Sequence, residues 1–384
     1  MAARLQGLGT TIFAEMSALA VATGSINLGQ GFPDTDGPRA MLEAAVAAIR
    51  SGEHNQYPPG LGIAPLREAV AAHQKRFYDL SFDPDTEVLV TAGATEAIAA
   101  ALLALVEPGD EVVALEPYYD SYTAGIAMAG GRRVPVTLRP PDFRLDLDAL
   151  RAAVTPRTKL LLVNSPHNPT GTVLSAAELA AIAELACDRD LLVVTDEVYE
   201  HLAYDGAPHV PLATFPGMRE RTVTISSAGK TFAVTGWKIG WVCAVPELLD
   251  AVKTAKQFLT YVSGGPFQPA VATALGMGDD YFAELRSSLQ AKRNLLCAGL
   301  ADLGFEVFVP QGTYFVTTDV RSLGYDDGVE FCRMLPARCG VVAIPHEVFY
   351  DDKSAGRPLV RWAFCKQDSV LVEAIDRLGS GLRP

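Results

Sequence analysis

Lys230, Asp196, Tyr199 and Asn168 each follow closely on an apolar, β-branched run, and another such run is followed by Ala92-Gly93-Ala94-Thr95. These types supply an amine able to attack a carbonyl, a carboxylate able to hold a cation, two hydrogen-bonding groups, and a helix start whose free N–H groups favour an anion. Each also has a plainer reading. A threonine can cap its own helix, an aspartate can close a turn, and most lysines are simply solvated. Chemistry gains weight only where the fold brings the ends of these runs together.

The elements that would do so are legible. EVLVT (87–91), EVVALE (111–116), KLLLVN (159–164), LLVVTDE (191–197) and TVTIS (222–226) alternate with helical patterns, the rhythm of a parallel sheet covered on both faces. One helix is expected over 95–106, stopped by Pro108-Gly109, and another starts at the capping box of Ser175 and Glu178. Ligands of open parallel sheets bind beyond the carboxyl ends of the strands, where all these polar residues fall. A long amphipathic stretch, 281–303, precedes a different rhythm: FEVFV, TYFVTT, VVAI and LVRWAF, with helical patterns near 327–337 and 369–378. The fold class is therefore α/β, a mostly parallel sheet in a large domain (37–284) with a smaller α+β domain (285–384). Residues 1–36 form an arm packing with the small domain, irregular except for a helical pattern near 12–22, and Gly37-Pro38 opens the first clear helix.

An anion site, a carboxylate, an Asn/Tyr pair and a lysine on one face are together what pyridoxal 5'-phosphate requires: a covalent amine anchor, a partner for the pyridine nitrogen, hydrogen bonds to the ring oxygen and a phosphate cradle. Gly229-Lys230-Thr231 imitates the end of a P-loop, but Thr224 stands where the first glycine belongs and Gly236 interrupts the helix that should follow. Gly29-Gln30-Gly31 and Gly60-Leu61-Gly62 lack the third glycine of a dinucleotide fingerprint. The 384 residues carry 32 Lys+Arg against 45 Asp+Glu, a net charge of -13 that repels a phosphate backbone and points to a small-molecule partner instead of nucleic acid. The six cysteines show no C-x-x-C pair and no histidine at zinc-ligand spacing, so they read as reduced core thiols and no metal is expected. Glu15 interrupts the apolar stretch a signal peptide needs, and the longest apolar run, 97–106, is too short to span a bilayer, which predicts a cytoplasmic protein with no membrane contact.

SSAGKTFAVTGWKIGW, NSPHNPTG, TDEVYE, INLGQGFPD and LVRWAFCK, in this order of function if not of sequence, resemble fold-type I aminotransferases of class I/II across nearly the whole chain. The nearest likeness is to the kynurenine/glutamine/methionine transaminase branch, which includes actinobacterial N-succinyldiaminopimelate aminotransferases. The resemblance implies that Lys230 anchors the cofactor and later moves the proton at the substrate Cα, and that Asp196 keeps the pyridine nitrogen protonated. It implies that Tyr199 and Asn168 bond the ring oxygen and that Tyr119, in EPYYDSY, stacks on the ring. Gly93, Ala94, Thr95, Ser227 and Lys238 would hold the phosphate, with Tyr57 reaching in from the second subunit of a homodimer. Arg361 would clamp the substrate carboxylate, helped by Gly31 and Asn168. Without the resemblance, Arg361 reads as half of an inter-strand salt bridge and Tyr119 as a core aromatic. His167 is expected to shape its loop, and Trp237, Trp241 and Trp362 to pack.

The implied activity is amino-group transfer between an L-amino acid and a 2-oxo acid by a ping-pong mechanism. A cysteine-conjugate or cystathionine β-lyase on the same scaffold is the alternative, separable by release of ammonia and pyruvate. An aminotransferase-like domain of a transcription regulator would need a basic helix-turn-helix module, for which neither the charge nor the extent of the likeness leaves room. Where the kynurenine branch carries bulky groups, this chain has Thr95 and Tyr261-Val262-Ser263-Gly264-Gly265-Pro266. Two readings stand side by side: a roomier pocket for a long polar substrate such as a succinylated diamino acid, or a tight turn that needs its glycines.

Overall fold

A computed structural model describes residues 2–6 and 11–382. After a two-residue strand β1 (Ile26–Asn27), the central sheet is built from β2 (Val88–Thr91), β3 (Glu111–Glu116), β4 (Arg132–Thr137), β5 (Thr158–Asn164), β6 (Leu192–Asp196), β7 (Thr222–Ser227) and β8 (Gly240–Cys243). Their spatial order is β2-β8-β7-β6-β5-β3-β4. β8 runs antiparallel to both neighbours, β2 and β7, while the remaining pairs are parallel.

Period-two alternation divides the strand side chains between two layers. Val112, Ala114, Leu160, Leu162 and Val194 enter one core. That core also receives Ala97, Ile98 and Ala101 of the helix Gly93–Leu105 and Tyr122 and Ile126 of the helix Asp120–Ala129. Val113, Leu115, Leu161, Val163 and Val193 enter the opposite core, with Leu179, Ile182 and Ala183 of the helix Ala176–Asp188. Burial on both faces is why these strands read as continuous apolar runs. The capping box at Ser175 is present, with the Glu178 backbone N–H donating to Ser175 Oγ and the Ser175 N–H to Glu178 Oε2.

Three early helices matter for the site or its surroundings: α1 (Ile12–Thr23), α2 (Arg39–Ser51) and α3 (Ala64–Tyr78). They are followed by α4 (Gly93–Leu105) and α5 (Asp120–Ala129). The first starts at Thr11, whose hydroxyl accepts from Ala14 N–H, and stops at Gly24, φ 63°. Beyond the helix Asp279–Asp302 come β9 (Glu306–Phe308), β10 (Phe315–Asp319), β11 (Val341–Val342), β12 (Ile344–Pro345) and β13 (Leu359–Ala363). Four of them form an antiparallel sheet ordered β12-β13-β10-β9, and β11 pairs in parallel with β1. Met16, Ala20 and Leu28 from the first thirty residues share a core with Trp362, Phe364 and Leu378.

Differences from the sequence reading are local. The expected single strand VVAI is two short strands in two sheets, because β11 turns away after Val342 to pair with β1. The helix expected over 95–106 begins two residues earlier, at Gly93, where a positive φ of 74° lets the chain turn directly out of β2. β4 and β8 were not anticipated. β4 is an edge strand carrying Arg132, Arg133 and Pro135, and β8 is four residues long. All six cysteines are free, five of them buried. Among the described residues no helix is long and apolar enough to cross a membrane.

Candidate active site

The carboxyl ends of β2, β5, β6 and β7 open onto a cavity of about 440 Å³, lined by every residue assigned from the sequence to cofactor or substrate except Tyr57, while the 261–266 loop does not reach it. Asp196 is the last residue of β6 and is 6% exposed. Tyr122 donates to its Oδ2 and the Val198 N–H to its Oδ1 at 3.4 Å, while Asn164 Nδ2 holds its backbone carbonyl at 2.7 Å. Burial pushes the carboxyl up from its ordinary range, and the Tyr122 hydrogen bond and nearby Lys230 only partly offset this. An acid held so far from water is one that a cationic partner in the cavity would favour.

Lys230 lies in the single turn Ala228–Thr231 that follows β7. Its Nζ donates to Gly31 O at 3.3 Å and stands 5.7 Å and 5.4 Å from the ring centres of Tyr199 and Tyr314, which meet edge to face. Burial, above all, depresses its pKa to about 8, with Arg361 and Lys238 pushing the same way. The amine is therefore protonated below pH 8 and becomes a nucleophile above it. Competitive acetylation of cofactor-free protein, read by peptide mass spectrometry, is expected to show Lys230 titrating near 8; a midpoint at the ordinary 10.5 would contradict the site's dryness.

The start of α4 makes an anion cradle. Ala92, the residue before the helix, offers no side-chain cap and gives its own N–H to Glu96 Oε2 at 2.6 Å, so threonine capping of its own helix is not what forms here and the N–H groups of the first helical turn are left without a side-chain cap. The chain of Gly240 passes so close beneath that a Cβ on it would lie 2.6 Å from Gly93 C and 2.8 Å from Ala94 N. Lys238 reaches the same place: a Cβ on Gly93 would meet its Cε at 3.3 Å and its Nζ at 3.5 Å. Uncapped N–H groups, the positive end of a helix and an ammonium group converge there, with Ser227 on the cavity wall.

Arg361, on β13, is 2% exposed. Its Nη1 donates to Asn168 Oδ1 at 2.9 Å and its Nη2 to Gly29 O at 3.0 Å, while Nε has no partner. Phe315 lies 3.8 Å from the guanidinium, Phe349 and Phe13 at 5.1 and 5.2 Å. Among the described residues no carboxylate pairs with it, so the inter-strand salt bridge is not formed. Burial lowers its pKa to about 10. Asn168 is fixed by its own N–H bond to Asn164 Oδ1 at 2.8 Å and, with Oδ1 given to Arg361, keeps Nδ2 free as a donor.

Tyr119 immediately precedes α5 and packs edge to face on Tyr122, with centroids 5.9 Å apart. Tyr57 stands apart. It is 83% exposed, its only ring neighbour among the described residues being Tyr261 at 5.8 Å. His167 bonds Thr170 through Nδ1 at 2.8 Å, and burial lowers its pKa to about 4, so it holds the loop as a neutral ring. Trp362 is fully buried and donates to Thr318, Trp241 is buried, and Trp237 stacks on Phe267. Sequence reasoning missed Thr11, Phe13, Asp120, Asn164 and Phe315, which line the same cavity. Asn164 had a signal, since it ends β5; Thr11 and Phe13 arrive from the far end of the chain with none.

A doubly covered, mostly parallel sheet with lysine, aspartate and an anion cradle at its strand ends, faced by a buried unpaired arginine, is the framework of an amino-group-transferring enzyme. The chain belongs to the family "Aminotransferase class I and II", whose pattern matches residues 23–378. It is an aminotransferase. It is 59% identical, over 98% of this chain and 97% of the other, to a Mycobacterium tuberculosis protein described as "Probable N-succinyldiaminopimelate aminotransferase DapC". It is 40% identical, over 98% and 97%, to the methionine aminotransferase of Escherichia coli. The solved structure of N-succinyldiaminopimelate aminotransferase from Mycobacterium tuberculosis superposes with a TM-score of 0.97 at 60% identity, covering 99% of both chains.

Proposed function

We propose that this aminotransferase uses pyridoxal 5'-phosphate, held in the cavity described above, to pass the amino group of a long polar L-amino acid to a 2-oxo acid. Arg361 carries the reading. A guanidinium that is buried and boxed by phenylalanines, with Asp120 on the same cavity wall but not in ion-pair contact, is costly unless a carboxylate arrives, and a substrate carboxylate supplies it. The residues fit the cofactor as well: the uncapped start of α4 with Lys238 and Ser227 suits its phosphate, and the desolvated Asp196 its cationic ring nitrogen. When bound, pyridoxal phosphate supplies the electron sink for bond-breaking at the substrate Cα. Lys230 Nζ, neutral above pH 8, takes the Cα proton and returns it on the product side. Tyr199 and the free Nδ2 of Asn168 would bond the ring oxygen, Tyr119 would pack against the ring, and the Arg361–Asn168 bond would set the position of the substrate carboxylate relative to Lys230.

The substrate proposal, an N-succinylated diamino dicarboxylate with 2-oxoglutarate as acceptor, rests on the strong likeness to the mycobacterial relative. A methionine- or kynurenine-type donor is the competing reading, and one observation favours it. Gly264 has φ 62° and a Cβ there would lie 2.1 Å from Ile239 Cδ1, so the turn itself requires the glycine, whatever room the substrate needs. Exposed Tyr57 and Tyr261, together with Phe258 at 80% exposure, suit a homodimer in which Tyr57 and the 261–266 loop complete the neighbouring site. The division at 36/37 and 284/285 is proposed on the separate sheets, although the second boundary falls inside the helix Asp279–Asp302 and the C-terminal core also takes in Val198, Tyr199, Leu202 and Tyr204.

An amino-donor panel read by half-reaction absorbance tests both points. Succinylated diamino dicarboxylates are expected to exceed kynurenine and methionine by roughly tenfold or more in kcat/KM, the scale of a pocket misfit. Preference for kynurenine would overturn the substrate reading. Carried down a dilution series, the same assay should lose activity as the dimer parts; a fully active monomer would refute the composite site.

A further inference from the structure

Behind Asp196 and Tyr199, on the side away from the cavity, the turn after β6 carries Glu200 and His201 against α3. His73 of α3 meets His201 there, Nε2 to Nε2, at 2.7 Å. One donor atom from each of His73, Glu200 and His201 lies within 4.8 Å of the other two. Glu200 is 5% exposed; Ser226 donates to its Oε1 at 2.5 Å, but no donor meets Oε2 with hydrogen-bonding geometry, although the Tyr78 hydroxyl faces the same carboxylate. His73 Nδ1 is also buried without a partner. Among the described residues no lysine or arginine forms an ion pair with Glu200. Lys75 and Arg76, the cations nearest in sequence to His73, are paired with Asp79 and Asp279. Phe77 and Phe282 wall the cluster, 4.8 Å from the His73 ring and 4.4 Å from the His201 ring.

A carboxylate enclosed by aromatic rings, with one oxygen unbonded and no lysine or arginine beside it, has only the His73, His201 and His209 rings as charge partners. Two imidazoles and a carboxylate are a donor set suited to zinc and its first-row neighbours. The geometry points to His73, Glu200 and His201 as a binding site for one zinc-class divalent metal ion. Zinc–nitrogen bonds near 2.1 Å at a tetrahedral angle place two nitrogens roughly 3.3 Å apart, so the imidazoles need to separate by only about 0.6 Å from their present contact. Three protein ligands leave a fourth position for a water, and burial of the cluster means that the ion is loaded as the chain folds. Its ligands are 128 residues apart in sequence, which is why histidine spacing alone predicted no metal.

Holoenzyme with Cys187→Ser, which removes the one partly exposed thiol, is purified from cells grown with added zinc or cobalt and analysed for metal by mass spectrometry. About one metal per chain is expected, with visible d–d absorption in the cobalt protein. His73→Ala and Glu200→Gln should each fall below about a tenth of that, while Lys230→Ala should retain it. Wild-type ligands that carry less than about a tenth of an equivalent from both media overturn the site without recourse to any variant. So does metal retained at full occupancy by His73→Ala and Glu200→Gln.

Discussion

Lys230→Ala is expected to abolish amino-group transfer, by at least about 10⁴-fold in kcat, while the protein still takes up pyridoxal phosphate through the cradle at α4. The side chain is asked for two things at once, a covalent hold on the cofactor and proton movement at Cα, and no other base in the cavity is placed to replace it. Lys238 is the instructive control. Its amine lies in the same cavity, but against Gly93 at the helix start, where under the proposed function it would serve the phosphate. Borohydride treatment of wild-type holoenzyme followed by peptide mapping should therefore label Lys230, and small primary amines should partly restore the alanine variant. Label on Lys238 would reverse the two assignments.

Arg361→Ala should lower kcat/KM for every α-amino acid by about 30- to several-thousand-fold, the equivalent of losing one partner of a buried charge pair, about 2–5 kcal/mol. Cofactor affinity should hold, because the cradle is built from other elements. Arg361→Lys should recover little. A lysine cannot bond Asn168 and Gly29 from one rigid fork while meeting a carboxylate, and it stacks less well on Phe315. Unchanged saturation by amino acids in Arg361→Ala would move the carboxylate clamp elsewhere, and with it the main support for the function proposed.

How far the sequence foretold this depends on the range of the forces involved. The five parallel strands were legible within about a residue because burial on both faces writes them as apolar runs, and their polar ends announced Asp196, Lys230 and Gly93. β8 was not legible. Four residues in an antiparallel slot between β2 and β7 carry no period long enough to read, and what secures them is pairing with partners far away in the chain. Arg361 could be named only through resemblance, since nothing local distinguishes an arginine facing a salt bridge from one facing an empty, phenylalanine-lined recess. Phe13 was beyond reach for the same reason: its contact with Arg361 joins residues nearly the whole chain apart. The His73–His201 contact, between α3 and the turn after β6, is a third case of tertiary placement with no trace in local spacing.

The cradle at α4 has an uneven response to change over evolutionary time. Because its donors are main-chain groups, trimming the side chains of Thr95 or Ser227 leaves the N–H groups where they are, and such positions can drift. Gly240 has no such latitude: one added carbon would enter the space of the Gly93–Ala94 peptide at 2.6–2.8 Å, displacing the donors themselves. The proposed phosphate cradle is thus tolerant of losing atoms and intolerant of gaining them, so its record of selection is to be read at the glycines beneath it and not at the polar side chains around it.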